Sequence, residues 1–236
     1  ATRTGRWLVT CDHAANTVPE FVANGDLGLP AEDMQRHIAW DVGAMGVSRH
    51  LSAILNGPVI GSNFSRLVID PNRGEDDPTL MMRLYDGTII PGNHHADRAE
   101  IRRRLETYHR PYHAALANLA AGQPNTAICA VHSFTPRLNS RAPRPWHIGV
   151  LFAHDDRLAR PLLDLLRAEP DLNVGENEPY LGHLPGDAID RHALQKNRPN
   201  VLLELRQDLI ETEKTQRQWA ERLAPILSQA LADSGL

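Results

Sequence analysis

The sequence holds only two cysteines, Cys11 and Cys129. Both lie inside apolar, strand-like runs, so they read as reduced, buried and structural, and a disulfide framework is excluded. No apolar stretch reaches the length of a bilayer span. A basic excess is missing too. The 25 Lys and Arg stand against 29 Asp and Glu, a net charge of −4, which gives no footing for nucleic acid or an anionic membrane surface. Internal repeats, low-complexity tracts and linkers are likewise lacking, and 236 residues suit one α/β domain over 1–236. The first residues carry no signal-peptide pattern, because strand-like sequence starts by Trp7. These absences lead to the expectation of a cytoplasmic protein with a small-molecule partner. What is present fits that: 42% hydrophobic and 23% charged residues can build a full core, and twelve histidines raise the prospect of acid/base or metal chemistry.

Short apolar runs alternate with longer helical patterns, the signature of βαβ units. Strands are expected over 6–11, 58–60, 67–69, 126–131, 147–152 and 201–205. Helical periodicity covers 31–56, 96–121, 157–168 and about 212–232, the third following Asp155 and Asp156 as candidate caps. Residues 74–95 read as a long, mostly irregular loop, a kind usually tied to function, and 170–198 as loop-rich. The sum is a three-layer α/β/α domain.

Three of the strand-like runs end in chemistry. Trp7–Cys11 is followed by Asp12-His13, Thr126–Val131 by His132, and Asn200–Leu203 by Glu204. In open α/β sheets the carboxyl ends of the strands line the ligand crevice. Two histidines and one further ligand would leave a catalytic zinc an open position, with a Glu nearby as general base. Asp12 is either a ligand or the group that orients His13. Asn16 is an oxygen ligand or a substrate contact, and the plain alternative for both is a turn or a helix cap. Arg66 and Arg73, in Ser65–Arg73, suit bidentate recognition of an acidic substrate, or polarisation of a scissile carbonyl, unless salt bridges to Asp70 or Asp76 consume them. Glu204 and Arg206 share one face of a strand, where side chains alternate with period two, so Arg206 joins Arg66 and Arg73 as a candidate to bind substrate carboxylates, unless it only pairs with Glu204.

The segments CDHAANTVP, HIAWDVGA, SRLVIDPNR, HSFTP, NEPY and LELRQDLI occur in that order from near residue 9 to near residue 210. Together they resemble the N-formylglutamate amidohydrolase family. The resemblance implies a central mixed sheet like that of the phosphorylase/hydrolase-like zinc exopeptidases and deacylases. It implies His13 and His132 as zinc ligands, Asn72 and Arg73 as the pair at the substrate, and Glu204 as the catalytic carboxylate. Relatives in that fold carry Glu as second ligand. Position 16 is Asn here, a poor zinc ligand, which leaves Asp12 for the metal set, or another divalent metal in place of Zn2+. The same resemblance singles out His37 and Asp41, four apart and on one face if helical, with Ser65, Ser133 and Tyr180 as further substrate contacts and His192 as a catalytic candidate beside Glu204 and Arg73. Tyr108, His109, Tyr112 and His113 repeat at helical spacing and read mainly as a packed helix face.

The expected activity is hydrolysis of a linear amide, foremost deformylation of an N-formyl or N-acyl acidic amino acid such as N-formyl-L-glutamate, with Glu204 taking the proton of the attacking water. The alternatives are an amidase or carboxypeptidase-like hydrolase of another N-acyl or peptidoglycan-derived substrate, and a metal-free module that binds an acidic amino acid.

Overall fold

A computed structural model describes residues 3–236. Eight strands occur among them: β1 (Trp7–Cys11), β2 (Val59–Gly61), β3 (Leu84–Tyr85), β4 (Thr88–Ile89), β5 (Ala127–Phe134), β6 (Ile148–Leu151), β7 (Val174–Glu176) and β8 (Asn200–Arg206). The α-helices are α1 (Ala44–Ile54), α2 (Pro91–His94), α3 (Arg98–Arg104), α4 (Arg110–Ala121), α5 (Ala159–Arg167), α6 (Ala188–His192) and α7 (Glu213–Asp233). Six strands form one sheet in the order β2-β1-β5-β8-β6-β7, in which β6 runs antiparallel to β8 and every other pair is parallel. None of the described helices is long and apolar enough to cross a membrane.

Side chains alternate across the central strands, as the period of two requires. Val9, Cys11, Cys129, Val131, Val201 and Leu203 pack on one face against Val47 and Leu51 of α1, Leu162 of α5 and Leu223 and Leu227 of α7. Leu8, Ile128, Ala130 and Leu202 pack on the other against Tyr112 and Leu116 of α4 and Ile189 of α6. This is the three-layer α/β/α arrangement with a mixed sheet. The alternation also decides where the chemistry goes. His132 follows Ile128 and Ala130 in phase, and Glu204 follows Leu202, so both project on the α4/α6 face. Their strands pair in register, His132 opposite Glu204.

Several expected elements change. The 31–56 pattern is helical only over Ala44–Ile54. Gly43, at φ +79°, sets the left-handed entrance to α1, and a Cβ there would lie 2.2 Å from the Ile210 carbonyl oxygen. Before it the chain is pinned irregularly, with the Asp41 amide donating to the His13 carbonyl (2.9 Å) and the Arg66 amide to that of Ala39 (3.3 Å). His37 and Asp41 therefore do not share a helix face. Leu67–Ile69 is not a strand but a buried turn, closed by the Ser65 hydroxyl accepting from the Leu67 amide (3.1 Å). An apolar run of that length does not distinguish the two. Within 74–95 a hairpin joins β3 to β4 through Asp86-Gly87, both at positive φ, as a two-residue turn of Asp-Gly type demands. The 96–121 helix contains a π turn over Leu105–His109 just before Pro111, whose ring nitrogen has no hydrogen to donate. Asp155 and Asp156 pair with Arg157 and Arg160 rather than capping α5, which begins at Ala159. The α7 cap is Thr212, in a reciprocal box with Thr215.

A third apolar cluster (Phe64, Leu67, Val68, Ile69, Leu80, Ile90) lies under the irregular segments. Arg104 holds it in shape. Only 1% exposed, it donates to the Val68 carbonyl (2.8 Å), to Asn93 Oδ1 (2.7 Å) and to Glu100 (2.7 Å). Asn93 in turn donates to the Leu67 and Met82 carbonyls. Replacing Arg104 with Met should cost about 3 kcal/mol, because it strands buried acceptors that water cannot reach. A lowered urea midpoint at unchanged slope is the expected signature, and a loss below about 0.5 kcal/mol would show that this clasp does not hold the segment.

Candidate active site

The carboxyl ends of β1, β5 and β8 open on a cavity of 410 Å³. His13, directly beyond β1, is 2% exposed; His132 of β5 is 2% exposed. Between them stands Asp41, brought in by the turn ahead of α1. Its Oδ2 lies 3.2 Å from His13 Nδ1 and 2.8 Å from His132 Nδ1. These three residues offer ligand atoms that all lie within 4.8 Å of one another. The opposite nitrogen of each imidazole faces another carboxylate: His13 Nε2 is 2.7 Å from Asp70 Oδ1, and His132 Nε2 is 3.3 Å from Asp12 Oδ2. Asp70 is fixed by Arg66 (2.8 Å) and by the Asn72 amide (2.8 Å), and Asp12 by the Tyr112 hydroxyl (2.6 Å).

The electrostatics follow from this packing. Burial works to raise the Asp41 carboxyl, but His13 and His132 outweigh it and hold it well below the usual carboxylate range. The same contest at Asp70 is won by Arg66 and His13, and at Asp12 by His132 and Tyr112. Burial works to lower His132, yet Asp12 and Asp41 push it well above the ordinary imidazole value. Glu204 differs. Burial, opposed by His132 and reinforced by Asp41, raises it to about 8. It is 6% exposed, lines the cavity, and its Oε2 has no hydrogen-bond partner among the described residues. That is the environment of a carboxylate free to exchange a proton with something in the cavity.

Two imidazole nitrogens and a carboxylate oxygen, each imidazole oriented from behind by a further carboxylate, form a donor set that fits a catalytic zinc or similar divalent ion with one side left open. The third residue of this cluster is Asp41, whereas the sequence pointed to Asp12 or Asn16 for that place. Asp12 stands behind His132, and the Asn16 amide is turned away to donate to the Met34 carbonyl (2.8 Å). Two expected substrate contacts, Ser65 and Arg206, and the catalytic candidate His192 also lie off the cavity. The Ser65 hydroxyl donates to the Ala39 carbonyl (2.7 Å), Arg206 pairs with Asp208 (2.8 Å) in spite of sharing a strand face with Glu204, and His192 Nε2 lies 2.9 Å from His113 Nδ1. His37, Arg66, Asn72, Arg73, Ser133 and Tyr180 do line it. Arg66 is already engaged with Asp70 and lies over the Tyr85 ring at 5.4 Å. Arg73 donates to Thr79 Oγ1 (2.9 Å) and the Asn72 carbonyl (2.7 Å), with no carboxylate partner among the described residues.

Sequence reasoning missed Arg144. It donates to the Tyr180 hydroxyl (3.0 Å), lies 4.9 Å over that ring, and also has no acidic partner among the described residues. Nothing in its surroundings, a proline-rich loop, marks it. Tyr112, read only as part of a helix face, was detectable as a buried hydroxyl in need of a partner.

The N-formylglutamate amidohydrolase family profile matches residues 5–211. The chain belongs to this family. Membership makes it an amidohydrolase, the class its buried carboxylate and imidazoles suit. Among solved structures, the gene product Atu2144 from Agrobacterium tumefaciens is 34% identical and superposes with a TM-score of 0.92, over 99% of this chain and 93% of that one. The N-formylglutamate amidohydrolase from Ralstonia eutropha JMP134 is 22% identical with a TM-score of 0.62, over 99% and 94% respectively, and so shares the fold. No curated protein matches the chain.

His192 belongs to a separate group. His113 (5% exposed) and His192 (7% exposed) stack side by side, with the His109 ring tilted against His113 at 4.4 Å and its Nε2 3.0 Å from the Arg73 carbonyl. Burial lowers His113 to about 3 and His192 to about 4. Unfolded histidine titrates near ~6.5. Between that value and about 4 the unfolded chain binds more protons, so the folded state loses stability as pH falls and regains it as pH rises. The raised groups His132 and Glu204 act in the opposite sense over the same range, so the test is relative: from pH 7.5 to 5.5 the urea midpoint of wild type should decline against that of His113→Gln. An equal decline in the variant would clear this pair of responsibility.

Proposed function

We propose that the protein hydrolyses the amide of an N-formyl or short N-acyl acidic amino acid, N-formyl-L-glutamate being the first candidate, with a divalent metal held by His13, His132 and Asp41. The observation that carries this reading is the convergence on one cavity of His13 Nδ1, His132 Nδ1 and Asp41 Oδ2 with the Oε2 of Glu204, which has no hydrogen-bond partner among the described residues. A metal bound there supplies Lewis acidity toward the carbonyl and toward water. Glu204 Oε2 accepts a proton from the attacking water and delivers it to the nitrogen of the departing amine. Water is consumed, the C–N bond breaks, and formate and a free amino acid leave. Asp70 and Asp12 keep the Nε2 side of each imidazole occupied, so Nδ1 faces the donor set.

The substrate class rests on charge. Arg73 on the cavity wall and Arg144 behind Tyr180 are guanidiniums without carboxylate partners among the described residues, which suits a substrate with two carboxylates. Leu151, Leu202 and Leu184 line the remainder of the cavity and would take its methylene chain. The reading covers residues 1–236 as one amidohydrolase unit.

The test is amine release from N-formyl-L-glutamate, N-formyl-L-alanine and N-acetyl-L-glutamate, before and after chelation and after zinc or cobalt is restored. Preference for the acidic formyl compound with chelator-sensitive release is expected. Equal turnover of the alanine compound overturns the substrate class, and chelator-resistant release overturns the metal.

A further inference from the structure

The two carboxylates behind the imidazoles are not anchored alike. Asp70 is gripped by a guanidinium and a backbone amide and lies 2.7 Å from its histidine. Asp12, fully buried, has only two partners among the described residues: His132 Nε2 at 3.3 Å and the Tyr112 hydroxyl at 2.6 Å. Tyr112 reaches it from α4, across the face of the sheet and a hundred residues along the chain. The bond is short, as a hydroxyl donating to a carboxylate should be. On this arm the orientation of the carboxylate depends on one hydroxyl.

We propose that Tyr112 is a positioning residue of the site, holding the Asp12 carboxylate square to His132 Nε2 and thereby keeping His132 Nδ1 turned to the metal. This rests on the metal reading above. Without the hydroxyl, the buried Asp12 Oδ1 is left with no hydrogen-bond partner among the described residues, and the carboxylate plane is free to turn from Nε2. His132 then loses the partner that selects its tautomer and ring angle. The neighbouring helix face explains why the donor is a tyrosine: the ring fills the layer between α4 and the sheet beside Leu8 and Leu116, while the hydroxyl alone meets the charge. Tyr112→Phe therefore removes the donor and keeps the packing.

The experiment is zinc affinity by competition with a chromophoric chelator, in the full chain, for wild type, Tyr112→Phe, Asp12→Asn and the double variant. Tyr108→Phe, whose ring packs on Phe64 at 5.4 Å, is the control. Removing a group directly behind a metal-ligating histidine typically costs ~10–100-fold in affinity. Tyr112 acts one bond further out, so its loss should raise the zinc dissociation constant roughly tenfold, with kcat lowered and KM for substrate unchanged. The cycle is the stricter reading. In the Asp12→Asn background the Tyr112→Phe change should have almost no further effect, because its route to the metal is already cut. Wild-type affinity in Tyr112→Phe overturns the proposal, as do effects that simply multiply in the double variant or an equal loss in Tyr108→Phe. If wild type itself binds no zinc, the metal reading fails first, and the proposal falls with it in a recognisably different way.

Discussion

Glu204→Gln should lower kcat by about three orders of magnitude, within the range that a positioned general base contributes, while the protein keeps its metal and its KM. The substitution is nearly isosteric, so the β8 register opposite His132 is undisturbed. Glu204 is outside the His13, Asp41, His132 donor set, which is why metal content should survive. Its Oε2 has no partner among the described residues, so no structural hydrogen bond to that atom is lost. Burial already lifts the carboxyl to about 8, a sign that the site tolerates an uncharged side chain well, and the variant should melt no lower than wild type. What disappears is the ability to accept the proton of the attacking water and return it to the amine. Steady-state kinetics beside elemental analysis decide the matter. Turnover within tenfold of wild type would show that another group is the base, whereas loss of turnover together with loss of metal would mean that Glu204 is a ligand.

The parts of this site that could be read from sequence are those delivered by regular strands. His13, His132 and Glu204 each follow a run of alternating or continuous apolar residues, and a strand end is a place where geometry is dictated locally. The three-layer sandwich was legible for the same reason, since both sheet faces announce themselves by a period of two. The third residue of the His/Asp cluster was not. Asp41 lies in a segment whose apolar spacing imitates a helix, and its true course is set by the φ of Gly43 and by hydrogen bonds to His13 and Ala39, contacts that no periodicity encodes. Asn16 attracted attention through its spacing from His13, yet a loop residue three positions on can turn either way, and here the Met34 carbonyl captures it. Arg206 shared a strand face with Glu204 as expected but lies two residues further out, where Asp208 takes it. Asp12, Asp70 and Tyr112 were each visible as polar residues beside apolar ones, but their roles come from partners far along the chain.

Those distinctions make the second large effect a ranking. Asp41→Asn should abolish zinc retention and activity together, because a neutral amide replaces the one oxygen that both Nδ1 atoms face. Loss of a direct donor must exceed the ~10–100-fold typical of groups acting from behind, so the dissociation constant should rise more than about a hundredfold and dialysis should strip the ion. Asp12→Asn and Asp70→Asn act through one histidine each and should fall within that smaller range, with Asp70 the larger effect because its bond to its histidine is the shorter, 2.7 Å against 3.3 Å. Asn16→Ala should change neither metal content nor kcat. Circular dichroism on each variant separates these effects from misfolding, which is a real concern for Asp41, since its carboxylate also accepts from the Ser133 amide. Competition titrations across the four variants would then order the carboxylates by their distance from the ion. If Asp41→Asn holds zinc normally while Asp12→Asn releases it, the donor set is His13, His132 and Asp12, and the turn ahead of α1 serves substrate instead.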